Sequence, residues 1–350
     1  MKYRILRKSS TPFDKVHEEC GVFGIAAPEG KEISAAHDAY TALCALQHRG
    51  QEAAGIAVNK NGVIHCHKDT GLVSAVFNQE ILDNMPGSMA IGHVRYSTTG
   101  DTRRENAQPI SITHVKGNLA VAHNGNLVNA GELRREIELD GGIFRSSNDT
   151  EVLVYTIVKE RLKCGSIEEA VMNTMHRIEG AYSLVVMSPR KLIAARDPHG
   201  FRPLCIGLLD NDCYIFASET CALDALGAKF IRDVEPGEVC VVENGELRSM
   251  HCGIECKSSA CVFEYIYFAR PDSIIDGASV ELARQEAGKY LSIEHPVGAD
   301  VVIGVPDSGI PAAIGYAKFS GIPYGVGLIK NRYIARTFIQ PGQDKRERSV

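Results

Sequence analysis

Short apolar segments separated by turns constrain the fold of this chain more than any other feature. Between Cys20 and about Leu247 these segments are rich in valine, isoleucine and small residues, which is typical of β-strands. Helical periodicity is confined to a few longer stretches. Because the strands cluster before and after the helices and do not alternate with them, the pattern predicts an α+β fold and argues against a doubly wound sheet. The predicted strands are Gly21–Ala26, Ala53–Val58, Ala90–Arg95, Leu119–His123, Tyr182–Met187, Leu192–Ala195, Leu204–Leu208 and Glu238–Val242, and the predicted helices are Ser34–Gln47, Asp149–Leu162 and Ile167–Ile178.

The pattern changes at about Cys261. The apolar stretch Ala299–Val305 is followed by a turn, Pro306–Gly309, by a helical stretch, Ile310–Phe319, and by a second apolar stretch, Pro323–Leu328. A strand, a helix and a strand in this order begin a parallel α/β unit. We therefore expect a second domain of α/β type after the first.

Composition narrows the class of protein. A chain of 350 residues, 44% hydrophobic and 23% charged, has the size of roughly two soluble globular domains. Its formal charge of −5 disfavours nucleic acid and anionic membranes as partners. Eleven dispersed cysteines favour a reducing, cytoplasmic compartment over a disulfide scaffold. No stretch approaches the roughly 20 apolar residues of a membrane span.

Cys20 is a candidate nucleophile. It follows a polar leader, residues 1–19, which lacks the apolar core of a secretory signal, and it directly precedes a predicted strand. If the leader is removed as a propeptide, the α-amine of Cys20 becomes a base on the nucleophile's own residue, with a reference pKa of about 7.7–8.0. The alternatives are a frayed N-terminus and a cysteine that is only a small buried hydrophobe.

Four further segments contain the other groups needed to bind and hydrolyse the side-chain amide of a free amino acid. An arginine can bind a carboxylate, an Asn-Gly pair can stabilise an oxyanion, and an aspartate can bind an ammonium group. Taken singly, Arg95 can be a surface ion-pair partner, Asp149 a helix N-cap, and Asn124-Gly125 a hairpin turn. The segments are His48–Glu52, Gly92–Thr98, His123–Leu127 and Ser146–Glu151.

Together with Cys20, these segments resemble the glutamine amidotransferases with an N-terminal nucleophile, and later segments resemble the branch that uses phosphoribosyl pyrophosphate. The resemblance implies a propeptide at 1–19, a four-layer αββα sandwich of the Ntn-hydrolase type at 20–250, and an incomplete phosphoribosyltransferase domain at 261–350. The implied activity transfers ammonia from glutamine to phosphoribosyl pyrophosphate, giving 5-phosphoribosylamine, glutamate and pyrophosphate in the first step of de novo purine biosynthesis. The additional matching segments are Glu179–Ser183, Arg196–Leu204, Ala217–Ala222, Glu264–Ser273 and Arg336–Pro341.

The resemblance also implies a role for individual residues. Cys20 attacks the glutamine amide and its α-amine carries the proton, while the side chain of Asn124 and the backbone N–H of Gly125 face the oxyanion. The residues implied to bind glutamine are Arg95, for its α-carboxylate, Asp149, for its α-ammonium group, and Arg49 and Gly50, beside the thiol.

Two cofactors follow from the resemblance. Ser308 lies on the loop that approaches pyrophosphate-bound Mg²⁺, although the turn around it can be plain topology. Cys261 matches the first ligand of a [4Fe–4S] cluster that some members hold, with the other three ligands expected after Val350. Cys252 and Cys256 lack the C-x₂-C spacing of a zinc knuckle, and we interpret them as structural. The run His65-Cys66-His67 is interpreted as a solvated strand.

The sequence departs from the phosphoribosyl branch in one respect. That branch carries two adjacent acids after an apolar strand, and no Asp-Asp pair occurs in these 350 residues. We therefore expect a fragment of a longer protein, or a lost second activity, so that the chain supports only the glutaminase half. Glutamine and phosphoribosyl pyrophosphate are the expected ligands, and the resemblance implies a homo-oligomer. The alternatives are an amidotransferase making glucosamine 6-phosphate or asparagine, and a non-enzymatic module that binds phosphoribosyl pyrophosphate.

Overall fold

A computed structural model describes residues 20–96 and 103–331. The predicted propeptide, Ser97 and Thr98 of the arginine-containing segment, and the segment Arg336–Pro341 lie outside these ranges. The described residues form a large two-sheet body, which carries the candidate nucleophile, and a smaller α/β unit that follows it along the chain.

Strands of the described chain build two antiparallel sheets. The first sheet contains β1 (Gly21–Ala26), β2 (Ala53–Lys60), β3 (Val63–Thr70), β4 (Met89–Arg95), β9 (Cys205–Leu208), β10 (Tyr214–Ala217) and β11 (Lys229–Asp233). The second contains β5 (Ile110–His114), β6 (Gly117–Leu127), β7 (Gly180–Met187), β8 (Lys191–Arg196), β12 (Glu238–Glu243) and β13 (Glu246–His251). The strand orders are β11-β9-β10-β1-β4-β2-β3 and β13-β12-β8-β7-β6-β5.

The strand β1 lies inside the first sheet, between β10 and β4, and all six of its residues are buried. Its side chains alternate between two cores: Phe23 and Ile25 face the outer helices, whereas Val22 and Ala26 face the second sheet. Burial on both faces explains why this strand is a continuous apolar run in the sequence. Pairing with β10 and β4 on its two edges fixes the position of the start of the strand.

Helices cover the outer face of each sheet. The helices α1 (Ala35–Ala45), α2 (Val73–Val76), α3 (Gln79–Asp83) and α7 (Thr220–Leu226) contribute to the core on the first sheet. The helices α4 (Ala130–Leu139), α5 (Asp149–Lys163) and α6 (Ile167–Met175) contribute to the core on the second. A third apolar core lies between the two sheets. The predicted four-layer αββα sandwich is therefore confirmed.

All eight predicted strands and all three predicted helices occur in this body, with their ends shifted by a few residues. The run containing His65 is strand β3, as predicted. The strands β5, β10, β11 and β13 and the helices α2, α3, α4 and α7 were not predicted from the sequence. The reason is visible in β11 and β13, which are largely exposed and so lack a long apolar pattern, and in β10, which has only four residues.

The α/β unit follows β13. It consists of a π-helical segment, Glu264–Phe268, a hairpin of β14 (Ile274–Ile275) and β15 (Ala278–Ser279), helix α8 (Val280–Glu294), and β16 (Val302–Ile303), α9 (Gly309–Ser320) and β17 (Tyr324–Gly325). The strands β16 and β17 pair in parallel, which confirms the predicted α/β type. The predicted strand lengths were wrong, since each strand has two residues. Much of the apolar stretch around them is exposed, with Val305 at 65% and Val326 at 73%.

Two glycines let α8 and α9 pack backbone to backbone. A Cβ atom at Gly288 would lie 1.9 Å from the carbonyl oxygen of Ala312, and one at Gly315 would lie 2.0 Å from that of Gln285. Only glycine fits both positions without separating the helices. None of the helices in residues 20–96 and 103–331 has the length and apolarity needed to cross a membrane.

Candidate active site

Cys20 directly precedes β1, and the residue is only 6% exposed. Because β1 pairs antiparallel with β4, with Gly21 opposite Val94, the start of β1 lies beside the end of β4. The Sγ atom of Cys20 lies 3.5 Å from both the backbone nitrogen and the carbonyl oxygen of Tyr96, the residue after β4. Sheet pairing therefore positions the thiol against the residue that follows Arg95.

Arg95 is the last residue of β4, and it is 3% exposed. The alternative that Arg95 is a surface ion-pair partner is thus wrong. The chain after Arg49 crosses directly over its backbone: a Cβ atom at Gly50 would lie 2.6–2.7 Å from the backbone N, C and O atoms of Arg95. The backbone N–H of Glu52 also donates to the Arg95 carbonyl, at 3.1 Å. Gly50 is required here because no side chain fits this crossing.

Asn124 and Gly125 lie inside β6, so the hairpin-turn alternative is also wrong. The Asn124 side chain is fully buried, and among the described residues neither its Oδ1 nor its Nδ2 atom has a hydrogen-bond partner. Gly125 has a φ angle of +144°, and a Cβ atom there would lie 2.0 Å from the carbonyl oxygen of Ala181. A buried amide without a partner is costly, so its retention points to a ligand.

Asp149 is the first residue of α5, and it is not the N-cap. The N-cap is Asn148, whose side chain accepts from the backbone N–H of Thr150 at 2.9 Å. The Asp149 carboxylate instead accepts from the backbone N–H of Leu127 at 3.0 Å, and its other oxygen lies 3.8 Å from Nδ1 of His123. Asp149 therefore connects the start of α5 to β6 beside Asn124, in the helix turn that favours a negative charge.

A pair of histidines joins the two sheets at this point. Nε2 of His93, in β4, donates to the backbone carbonyl of His123, in β6, at 3.0 Å. Burial lowers the pKa of His93 to about 3 and also lowers that of His123, although Asp149 opposes the second shift. Both imidazoles are therefore neutral near pH 7. His93 lies two residues before Arg95, and His123 lies one residue before Asn124. The hydrogen bond between them therefore fixes Arg95, on the first sheet, relative to Asn124, on the second.

The buried guanidinium of Arg49 connects the nucleophile to two distant carboxylates. Nε donates to the carbonyl of Cys20 at 2.9 Å, and Nη1 donates to Glu219 at 2.5 Å. Nη1 and Nη2 also contact both oxygens of Glu264, at 2.9 and 2.8 Å. Burial opposes the charged form of Arg49, but the two carboxylates outweigh it and raise the pKa well above its usual value. Arg49 is thus a positioning residue for the backbone of Cys20.

Glu219 extends this network. Its carboxylate accepts from His48 Nε2 at 2.8 Å, from the Ser273 hydroxyl at 2.7 Å and from the Arg270 backbone N–H at 2.9 Å. Burial opposes its ionisation, yet His48 and Arg49 lower the pKa of Glu219 well below its usual range. No role was predicted from the sequence for Glu219 or Glu264. The signal was present, because both segments belong to the stated resemblance.

Comparison with known proteins places the chain in a family. A family model described as a glutamine amidotransferase domain matches residues 93–225. An amidophosphoribosyltransferase from Methanocaldococcus jannaschii is 50% identical over 346 residues, which cover 95% of this chain and 73% of that protein. One from Bacillus subtilis is 48% identical over 336 residues, covering 96% and 69%. The chain belongs to the amidophosphoribosyltransferase family.

Solved structures of similar proteins agree with this family. The glutamine phosphoribosylpyrophosphate amidotransferase from B. subtilis, complexed with ADP and GMP, matches with a TM-score of 0.84 and 47% identity, over 95% of this chain and 70% of that one. A structure described as the allosteric regulatory enzyme of purine biosynthesis matches with a TM-score of 0.85 and 48% identity, over the same shares.

Ser308 is the residue before α9, at the turn that follows β16. The turn offers the Ser308 hydroxyl and the Asp307 carboxylate, and the latter is bound by Lys330. Mg²⁺ prefers about six oxygen ligands and usually takes several of them from water and substrate phosphates. These residues therefore fit a loop that faces a metal-bound diphosphate, and they do not form a magnesium cage of their own.

Cys261 is half-buried, and its backbone N–H lies 3.4 Å from the carbonyl oxygen of Phe201. A four-iron cluster needs four ligands, and Cys261 supplies one. The group of metal-binding side chains found in the described residues is a different one, His251, Cys252 and Cys256. The described residues thus supply one of the four ligands, the other three being expected after Val350, and the [4Fe–4S] cluster stays a prediction.

Proposed function

We propose that this chain releases ammonia from glutamine at Cys20 for transfer to phosphoribosyl pyrophosphate, giving 5-phosphoribosylamine, glutamate and pyrophosphate at the start of purine biosynthesis. Membership of the amidophosphoribosyltransferase family supports the overall reaction. The observation that carries the assignment of the glutaminase site is the buried side-chain amide of Asn124, which has no partner within the described residues. A substrate oxyanion would complete its hydrogen bonding.

The proposed chemistry begins with the thiolate of Cys20, which attacks the amide carbon of glutamine after removal of residues 1–19. Asn124 and the backbone N–H of Gly125 stabilise the tetrahedral oxyanion. The α-amine of Cys20 passes a proton to the leaving nitrogen, so that ammonia departs and a γ-glutamyl thioester remains. Water then hydrolyses the thioester to glutamate and restores the thiol.

Substrate selection is assigned to two charges that flank the amide-binding groups. Arg95 pairs with the α-carboxylate of glutamine, since its planar guanidinium can donate two parallel hydrogen bonds. Asp149 pairs with the α-ammonium group. The nearby imidazole of His123 is neutral near pH 7, so it leaves the charge of this carboxylate to the substrate. Gly50 forms the wall beside the thiol, and buried Arg49 positions the backbone of Cys20.

The acceptor reaction is assigned to the unit containing Ser308. Ammonia attacks C1 of the ribose, and the bond to the diphosphate oxygen breaks, so pyrophosphate leaves. Mg²⁺, when bound, neutralises charge on the leaving diphosphate. The turn Pro306–Gly309 and the first turn of α9 would face the phosphates, because helix N-termini favour anions.

The dispersed free cysteines support a cytoplasmic location for the protein. That the protein forms a homo-oligomer stays a prediction.

The test follows glutamate and pyrophosphate separately in protein supplied with glutamine, Mg²⁺ and phosphoribosyl pyrophosphate. Cys20→Ala should abolish glutamate formation, whereas Cys44→Ser, at an exposed thiol, should leave it unchanged. Active protein should begin at Cys20 by N-terminal sequencing. Glutamate formation by Cys20→Ala, or active protein that begins at Met1, would contradict the proposal. The pyrophosphate measurement separately tests the expectation that the chain supports only the glutaminase half.

A further inference from the structure

Three side chains near the end of β13 bring together atoms that bind transition metals. One imidazole nitrogen of His251 and the Sγ atoms of Cys252 and Cys256 all lie within 4.8 Å of one another. The Sγ atom of Cys256 lies 3.6 Å from Nε2 of His251. Cys252 is buried, Cys256 is half-buried and His251 is exposed, so the group opens to solvent on one side.

The distance between Cys256 and His251 matches tetrahedral coordination. Bond lengths of about 2.3 Å from zinc to sulfur and about 2.0–2.1 Å from zinc to nitrogen, at a tetrahedral angle, separate the two ligand atoms by about 3.6 Å. The same separation is found here. These two ligands therefore need little movement to accept the cation.

The backbone around Gly237 makes room for the three side chains. A Cβ atom at Gly237 would lie 2.4 Å from Sγ of Cys256, 3.2 Å from Sγ of Cys252 and 3.1 Å from Cε1 of His251. The carbonyl of Gly237 also accepts from the backbone N–H of Cys252 at 2.9 Å. The three ligands thus converge over the open face of a glycine, and a larger residue would fill the space.

A buried tyrosine shares the apolar core of Cys252. Tyr182 is 1% exposed, and its hydroxyl has no hydrogen-bond partner among the described residues. Tyr182 and Cys252 pack in the same buried apolar core, so the tyrosine lies close to one of the two thiols. A hydrogen bond to a metal-bound thiolate is the kind of outer interaction that metal sites use.

We propose that His251, Cys252 and Cys256 form a binding site for Zn²⁺, with solvent as the fourth ligand. Two thiolates and an imidazole favour zinc over the oxygen-preferring Mg²⁺ and Ca²⁺. Nε2 of His251 lies 3.1 Å from the Pro236 carbonyl, and Nδ1 lies 3.4 Å from the Gly253 nitrogen. Binding through Nε2 moves the imidazole proton to Nδ1 and replaces both contacts. The bound cation would hold the loop after β13 in one conformation, and this loop leads to Glu264.

The test is titration of the reduced full chain with Co²⁺, a spectroscopic substitute for zinc. We expect one equivalent to give thiolate-to-cobalt charge-transfer absorption that Zn²⁺ abolishes. Cys252→Ser/Cys256→Ser should lose this signal, and His251→Gln should weaken it. Cys44→Ser and Cys261→Ser should retain it, the second because Cys261 lies outside the group. Circular dichroism of each variant checks that it is folded.

A second readout is tryptic cleavage after Lys257, an exposed residue of the same loop. Zn²⁺ should slow cleavage there several-fold and leave cleavage after the exposed loop residue Lys116 unchanged. Cobalt absorption that survives in the double serine variant, or that disappears in Cys261→Ser, would overturn the proposal. So would a Cys252–Cys256 disulfide that persists in protein prepared with reductant and zinc.

Discussion

Asn124 combines two properties that a purely structural residue does not have together. It is fully buried, and neither polar atom of its side chain has a partner in the described part of the chain. An unsatisfied buried amide lowers stability, typically by about 1–3 kcal/mol for each group. A residue that lowers stability, and that directly follows the histidine bonded to β4, is explained by a role in binding or catalysis.

Asn124→Ala is therefore predicted to separate activity from stability. Glutaminase kcat/KM should fall by roughly 10²–10³, as for the loss of one oxyanion donor. The free energy of unfolding should stay constant or rise, because the substitution removes unsatisfied polar atoms. Steady-state kinetics and urea unfolding measure the two quantities.

Asn148→Ala is the matched control for Asn124→Ala, since Asn148 is equally buried but fully engaged. Its side chain accepts from the Thr150 N–H and donates to the Asn106 carbonyl. Loss of this cap should lower stability by about 1 kcal/mol. Unchanged activity in Asn124→Ala, or a loss of stability as large as in the control, would contradict the proposed role.

Glu264→Gln is predicted to damage both folding and catalysis. The amide retains the shape of the carboxylate but removes one of the two charges that balance the buried Arg49. Breaking a buried ion pair costs about 3–5 kcal/mol. Because Arg49 also holds the Cys20 carbonyl, glutaminase kcat should fall. Thermal unfolding and kcat are measured in the same samples.

Glu136→Gln is the matched control for Glu264→Gln. Both oxygens of Glu136 accept from Nη2 of Arg177, but the Glu136 side chain is 47% exposed. Exposed pairs contribute about 0–1 kcal/mol. Equal losses in the two variants would show that burial of the Arg49 pair has no special importance.

At the scale of single elements, β6 depends on a glycine that the sequence analysis placed in the oxyanion site. Gly125→Ala would put a Cβ atom 2.0 Å from the Ala181 carbonyl at a φ angle of +144°. We therefore predict a loss of stability of several kcal/mol, on the order of the largest single-residue effects. The control is Gly131→Ala in α4, where nothing lies within 4 Å of the added atom. It should gain about 0.5–1 kcal/mol. Equal melting temperatures for the two variants would show that β6 tolerates a side chain at residue 125.

The elements differ in how far the sequence could predict them. Strands buried on both faces, such as β1, were predicted with their bounds, because a short continuous apolar run between turns is typical of a buried strand. The exposed β13 was missed, since its side chains carry no burial pattern. The residues of the glutaminase site came from the resemblance. The partners of Arg49 could not be predicted, because Glu219 and Glu264 are 170 and 215 residues away and only the fold brings them together.

At the scale of the whole molecule, the buried carboxylates around Arg49 are predicted to make the free energy of unfolding fall as the pH is lowered. The pKa of folded Glu219 lies well below the reference value of 4.5, so the unfolded chain takes up this proton first as the pH falls. The stabilisation from Glu219 is therefore complete above about pH 4.5 and is lost as the pH falls toward the folded pKa. Glu238 contributes in the same direction: it is buried, and burial opposes its ionisation, but hydrogen bonds from Arg232 and Ser249 lower its pKa to about 2.

Glu219→Gln isolates this contribution. Urea unfolding between pH 3 and pH 7 should show a smaller loss of stability on acidification than in the unmodified chain. The difference between the two curves should shrink as the pH falls below about 4.5, because only the unfolded chain takes up the Glu219 proton in this range. Parallel curves over the whole range would mean that the Glu219 carboxylate has the same pKa folded and unfolded.

The ion pair between Arg49 and Glu264 has a consequence for modularity. A gene that encoded only the nucleophile-bearing sandwich, ending near residue 250, would contain every residue proposed to touch glutamine. It would still lack the carboxylate that two nitrogens of Arg49 contact. Such a minimal glutaminase would carry a poorly balanced buried cation beside its nucleophile. Recombination or protein engineering that separates the sandwich from the α/β unit near residue 250 must therefore supply another carboxylate in place of Glu264. A substitution within the sandwich could introduce it.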